Sequence, residues 1–128
     1  MSDYTIKTLS DVPDSLGDYP GEMQYFGPAL DCRQVAVTYR RMPQHTGGKG
    51  SYGHRHAEQE EIYFVISGKL QFKLEDEVIE AGPGTAIRVA PEVFRSVWND
   101  EPEDAEIVIV STRDEDSKPE YKADFWPE

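Results

Sequence analysis

Gly48-Lys-Gly-Ser-Tyr-Gly-His54-Arg-His56-Ala-Glu-Gln-Glu60-Glu61-Ile-Tyr-Phe-Val-Ile-Ser-Gly68 is the stretch around which the chain is organised. His54 and His56 are two residues apart, a spacing that on a β-strand turns both imidazoles to the same face. Four residues follow, and then Glu61 heads an apolar run, Ile62 to Ile66. A turn over residues 57–60 is expected to bring Glu61 back beside the histidines on an antiparallel strand. Two imidazoles and a carboxylate converging from one face suit a divalent transition metal with open coordination positions, as in non-haem iron and catalytic zinc sites. Glu60 is the competing carboxylate.

The pattern resembles the first motif of the cupin superfamily: Gly, five residues, His-x-His, three or four residues, Glu, six residues, Gly. Gly48, His54, His56, Glu61 and Gly68 occupy its positions, and Glu60 breaks the six-residue spacing to Gly68. A second stretch, Gly84-Thr-Ala-Ile-Arg-Val-Ala-Pro91-Glu92-Val-Phe-Arg95-Ser-Val-Trp-Asn99, is similar to the family's second motif. Gly84 and Asn99 hold their places, Pro91 sits one residue late, and Glu92 stands where glycine is usual. Arg95 occupies the position at which the family has a histidine, its fourth metal ligand. The resemblance implies a single-domain, all-β, cupin-type double-stranded β-helix (a jelly-roll barrel) and, as is frequent in the family, a homodimer.

Arg95 bears directly on the metal. A divalent cation and a guanidinium ~5 Å apart repel by roughly 6–7 kcal/mol at an effective dielectric of about 20. Two arrangements avoid this cost. Either no metal binds and Arg95 pairs with Glu61, or His54, His56 and Glu61 hold Fe, Mn, Zn or Ni while Arg95 swings aside or grips an anionic ligand. His45, on a Gly-rich loop, is a third and weaker source of a ligand, because such a loop holds geometry poorly.

The rest of the chain reads as short strands. Residues 33–42 alternate, with Val35, Val37 and Tyr39 taken as the buried face and Gln34, Ala36, Thr38 and Arg40 as the other. Strands are expected over 52–56, 61–66, 69–74, 78–79, 85–90, 93–98 and 105–112, joined by Gly, Pro and acidic turns, with Ser67-Gly68 a tight hairpin turn. No segment shows sustained helical periodicity. Three segments follow: an N-terminal arm, 1–28, lying across the domain, in which Tyr4, Ile6, Leu9 and Val12 could form an edge strand; a barrel, 29–112; and a tail, 113–128, opening with a charge run. Tyr25 and Trp126 are placed over an open end of the barrel. Tyr63 shares the face of Glu61, and Tyr39, Phe72 and Val97 join it as lumen candidates. Trp98 points opposite to Arg95, while Arg41 and Gln71 are solvated strand residues that could reach the mouth. Ile62, Phe64 and Ile66 then face outward, and a strand apolar on both faces needs cover from the arm or from a second copy.

The chain has 128 residues, enough for one domain, and a formal net charge of −12 from 25 acidic and 13 basic side chains. That balance argues against nucleic acid or an anionic membrane surface as partner. Cys32 is the single cysteine, so no internal disulfide forms, and the segment Met1 to Lys7 lacks the apolar core of a signal peptide; both fit a cytoplasmic location. The functional expectation is a small metal-dependent enzyme of dioxygenase, isomerase or decarboxylase type acting on a small anionic organic molecule. Tyr63 and Arg95 are its candidate catalytic residues, with Arg95 orienting a carboxylate or phosphate. The alternatives are a sugar-phosphate isomerase or epimerase of the same fold, and a non-catalytic binding module with a metal-free His54/His56/Glu61/Arg95 cluster.

Overall fold

In the computed structural model, which describes residues 3–113 and 118–128, alternation along one strand separates the inside of the molecule from the outside. On strand β5 (Glu61–Ser67), Tyr63 and Val65 are 4% and 0% exposed, while Ile62, Phe64 and Ile66 are 41%, 42% and 43% exposed. The strands are β1 (Glu22–Tyr25), β2 (Val35–Met42), β3 (Thr46–Gly47), β4 (Ser51–Arg55), β5, β6 (Leu70–Leu74), β7 (Glu77–Ala81), β8 (Ala86–Val89), β9 (Arg95–Asn99), β10 (Ala105–Thr112) and β11 (Glu120–Trp126). One helical turn, α1 (Phe26–Ala29), and a 3-10 turn at Leu9–Asp11 are the helical elements among the described residues.

The strands form two antiparallel sheets, one in the order β1-β2-β10-β5-β8 and the other β11-β4-β9-β6-β7, with β3 also paired to β9. Met42, Val65, Leu70, Phe72, Ala105 and Ile107, drawn from both sheets, are fully buried between them. Each large side chain removed from water in this way contributes roughly 1.5–3 kcal/mol. The result is the expected all-β jelly-roll barrel. Gly68 makes the β5–β6 turn at φ 76°, where a Cβ would meet Asp104 O and Ala105 Cα at 2.7 Å.

Four expectations change. First, β4 and β5 are not paired: β4 lies beside β9 and β11, β5 beside β10 and β8. Residues 56–60 therefore carry the chain from one sheet to the other, and Glu61 faces the histidines across the barrel.

Second, the parity of β2 is reversed. Thr38, Arg40 and Met42 point inward, and Val35, Val37 and Tyr39 outward, because their partners Val110 and Val108 belong to the outer face of β10. Tyr39 leaves the lumen and donates a 2.5 Å hydrogen bond to Glu106 Oε2, whose other oxygen accepts from Ser67 at 2.8 Å.

Third, the arm forms its strand at Glu22–Tyr25, not between Tyr4 and Val12. Ile6, Leu9 and Val12 recur every three residues, which suits turns better than a period of two. Tyr4 and Ile6 are 75% and 77% exposed, whereas Val12 is buried at 5%. Gln24 Nε2 ties the arm down by donating to Leu9 O at 2.7 Å and Val12 O at 2.8 Å.

Fourth, the tail adds β11 to the edge of the second sheet beside β4. Trp126 is buried there at 6% and is not a cover for an open end. The charge run at residues 114–117 lies outside the described residues.

Candidate metal centre and cavity

His54 and His56 lie on and just beyond β4 and share the inward face, their ring centroids 5.1 Å apart at 84°. Gly53 lets the tail close behind them: a Cβ at this position would fall 2.3 Å from the Phe125 ring, so β11 seats only against a glycine. His54 pairs across the β4–β9 ladder with Arg95. From the opposite sheet Glu61 points in, and one of its oxygens, Oε1, collects the whole cluster. His54 Nε2 lies 3.7 Å from it, His56 Nε2 3.5 Å and Arg95 Nε 3.4 Å, and the Tyr63 hydroxyl donates to it at 2.8 Å.

Arg95 is 1% exposed, and its Nη1 donates to Pro91 O at 3.2 Å and Val93 O at 2.9 Å. It is thus locked to the loop before β9 and pairs with the same Glu61 oxygen that the histidines face. Its Nε and Nη2 are buried without an aligned hydrogen bond, and so are both ring nitrogens of His56.

The protonation states follow from this packing. Burial pushes the His56 imidazolium below its ordinary 6.5, so the ring is neutral near pH 7. Burial alone would raise the Glu61 carboxyl, but the His54 ring, the Tyr63 hydroxyl and the Arg95 charge outweigh it and hold Glu61 below its usual value. Burial, with the Glu61 charge beside it, raises Tyr63 far above the ordinary phenol range, so Tyr63 remains a hydrogen-bond donor.

A neutral imidazole and an ionised carboxylate are the states a metal ligand needs. One ligand atom from each of His54, His56 and Glu61 lies within 4.8 Å of the others. The buried His56 ring, without an aligned hydrogen bond, fits such an ion through one of its nitrogens, since buried polar atoms ordinarily find partners. The donor set is therefore placed to hold a divalent transition metal.

Beside the cluster is a cavity of about 670 Å³, lined in part by Arg40, Tyr52, His54, His56, Glu61 and Tyr63. Val97 lines it too, while Phe72 packs edge-on against the Tyr63 ring at 5.6 Å within the core. Tyr25, from the arm, lines the cavity, joined by Tyr19 and by Tyr121 from the tail.

Other candidates lie elsewhere. Glu60 is outside, bonded to Arg88 at 2.7 Å, which leaves Glu61 as the inward carboxylate. His45 stacks on the outward-facing Trp98 at 6.0 Å and is no ligand to this site. Arg41 pairs with Glu22 at 2.6 Å and Asp104 at 2.5 Å, and Gln71 sits across from Trp98 on the outer side. The second motif survives as a structural turn. Asn99, fully buried, donates to Met42 O at 2.7 Å and Glu103 O at 2.9 Å.

Among the lining residues that escape the sequence reading are Tyr52 and Arg40. Tyr52 keeps step with His54 and His56, and that parity was available. Arg40 keeps step with the buried Met42, a signal masked by the apolar residues on the other face of β2.

The chain belongs to the cupin family: residues 41–111 match the family model described as a cupin domain. Solved structures agree on the fold. A sugar phosphate isomerase of the cupin superfamily from Silicibacter pomeroyi DSS-3 superposes with a TM-score of 0.76 at 21% identity, covering 92% of this chain and 82% of that one. A cupin protein from Bacteroides fragilis gives 0.71 at 20% identity, covering 91% and 89%. KdgF from Halomonas sp. gives 0.70 at 16% identity, covering 88% and 98%. No curated protein matches the sequence.

Proposed function

We propose that this cupin is a metal-dependent enzyme in which His54, His56 and Glu61 hold one divalent transition metal (Fe, Mn, Zn or Ni) at the wall of the 670 Å³ cavity. Its substrate is a small anionic organic molecule, and its reaction belongs to the dioxygenase, isomerase or decarboxylase types. The observation that carries this reading is His56: a neutral ring with both nitrogens buried and without hydrogen bonds, facing His54 and Glu61. The metal supplies a Lewis acid or a site for dioxygen. Tyr63 orients Glu61 by its hydrogen bond and presents a hydroxyl at the cavity wall. Arg95 pairs with the Glu61 oxygen that the histidines also face and, after the His54 ring and the Tyr63 hydroxyl, helps hold that carboxyl below its usual value. The isomerase type gains some support from the fold neighbour described as a sugar phosphate isomerase. Elemental analysis after reconstitution with Fe, Mn, Zn and Ni tests the reading. It expects stoichiometric metal in the native protein, lost in Glu61→Gln; absence of metal from the native protein overturns it.

A second reading is favoured by Arg95 itself. Its Nε stands 3.4 Å from the same Glu61 oxygen the histidines face, so a metal-free cluster in a non-catalytic binding module accounts for the same geometry. The same analysis separates the two.

We also propose a homodimer through the outer face of the first sheet. Val35, Ile62, Phe64 and Ile66 are 41–46% exposed, and no described segment covers them; the arm packs on β1 instead. The Glu60–Arg88 and Tyr39–Glu106 pairs give this apolar stripe a polar rim.

A further inference from the structure

Among the described residues, Arg40 is the one arginine that lines the cavity, and it has no carboxylate partner. It points inward from β2, between Thr38 and Met42, and lines the cavity that His54, His56 and Glu61 also line. Its Nε is buried without a hydrogen-bond partner, and no carboxylate pairs with it among the described residues. Arg41, Arg55, Arg88 and Arg95 each have a carboxylate partner. In a chain with 25 acidic side chains against 13 basic ones, a half-buried guanidinium left unpaired is a cost that carboxylates elsewhere on the surface could easily have relieved.

The surroundings are phenolic rather than acidic. Burial disfavours its charge, and Tyr19, Tyr25, Tyr52 and Tyr63 line the same cavity. Tyr19 is engaged by Gly47, whose N–H it accepts at 2.9 Å, and Tyr25 by Met23, but the Tyr52 hydroxyl has no partner among the described residues. A guanidinium in the cavity wall, with the half-exposed Tyr52 lining the same cavity, is a receptor for a planar or tetrahedral oxyanion.

We propose that Arg40, assisted by Tyr52, anchors the oxyanion group of the substrate, a carboxylate or a phosphate, and so turns the rest of the molecule towards His54, His56 and Glu61. This rests on the reading of those three residues as the reacting part of the cavity, and it assigns the anion-binding role to Arg40 rather than to Arg95, which is 1% exposed and paired with Glu61. The substrate class is then a small organic acid or a phosphorylated small molecule.

The test is calorimetric titration of metal-stripped protein with inorganic phosphate and, separately, with malonate, on the native chain and on Arg40→Met and Arg40→Lys, alongside independent measurement of metal binding by each protein. The expected result is saturable binding of at least one anion to the native chain, weakened about tenfold or more in Arg40→Met and less in Arg40→Lys, with metal affinity unchanged. Preference between phosphate and malonate assigns the class. Arg40→Gln replaces Arg40→Met if the latter does not fold. Equal anion affinity in the native chain and the neutral variant, or no saturable anion binding by the native chain, overturns the proposal. Failure of the metal reading is seen separately, as absence of metal from every protein with anion binding intact.

Discussion

Arg95 Nε lies 3.4 Å from Glu61 Oε1, with Arg95 directly across the β4–β9 ladder from His54. The pair joins the two sheets at the site, and it sets a cation where the family's second motif carries a histidine. Arg95→His puts a neutral nitrogen donor there and removes the charge. Metal affinity is expected to rise at least about tenfold, equivalent to about 1.4 kcal/mol, as measured by competition with a chromophoric chelator. Unchanged or weaker binding would show that Arg95 does not oppose the ion.

Breaking the same pair from the other side costs stability. Glu61→Ala leaves Arg95 buried at 1% exposure without its carboxylate, and removal of one partner of a buried pair typically costs about 3–5 kcal/mol. Denaturant unfolding should show Glu61→Ala far less stable than Glu61→Gln, which keeps an acceptor for Tyr63. Equal stability of the two variants would contradict the pairing.

How much of this was legible in the residues depends on what each strand had to satisfy. The β5 alternation named Glu61 and Tyr63 as inward, since an apolar run headed by one acid leaves little choice once His54 and His56 are set to one face. β2 misled because both its faces are half-apolar. Val35 and Val37 look like core, yet they join Val108, Val110 and Phe64 in a patch on the outside. Pairing is a long-range property: nothing between residues 56 and 61 shows that β4 and β5 part to opposite sheets. β11 was hidden in a charged tail whose partner, the Gly53 notch, lies more than sixty residues earlier.

That notch gives its own prediction. Gly53→Ala drives a methyl into the Phe125 ring, so β11 must shift away from β4. A loss of about 1–3 kcal/mol is expected, with a change in the emission of the buried Trp126. A variant as stable as the native chain, with unchanged emission, would show that the tail seats without the notch.

The Tyr39–Glu106 bond predicts a pH dependence. Hydrogen bonds from Tyr39 and Ser67 hold the Glu106 carboxyl below its ordinary 4.5. A carboxyl depressed in the folded state adds stability above its unfolded value and loses it as pH falls through the folded value. Tyr39→Phe is therefore expected to cost about 0.5–1.5 kcal/mol near pH 7, with the gap to the native chain closing as pH drops below about 4. Thermal melts of both proteins across that range check it; a gap independent of pH would point to packing alone.

Phe64→Glu places a charge in the centre of the exposed stripe on β5, opposite Val108. Light scattering at micromolar concentration is expected to give a dimer mass for the native chain and a monomer mass for the variant, with the same secondary structure by circular dichroism. A monomeric native chain would end the dimer.

The account stands on imidazole coordination inside the barrel, and X-ray absorption at the edge of the reconstituted metal reads it most directly. It predicts two imidazole ligands in the native protein, reduced to one in His56→Ala if the ion is retained. A native spectrum with oxygen scatterers alone, or a protein that takes up no metal, would contradict it.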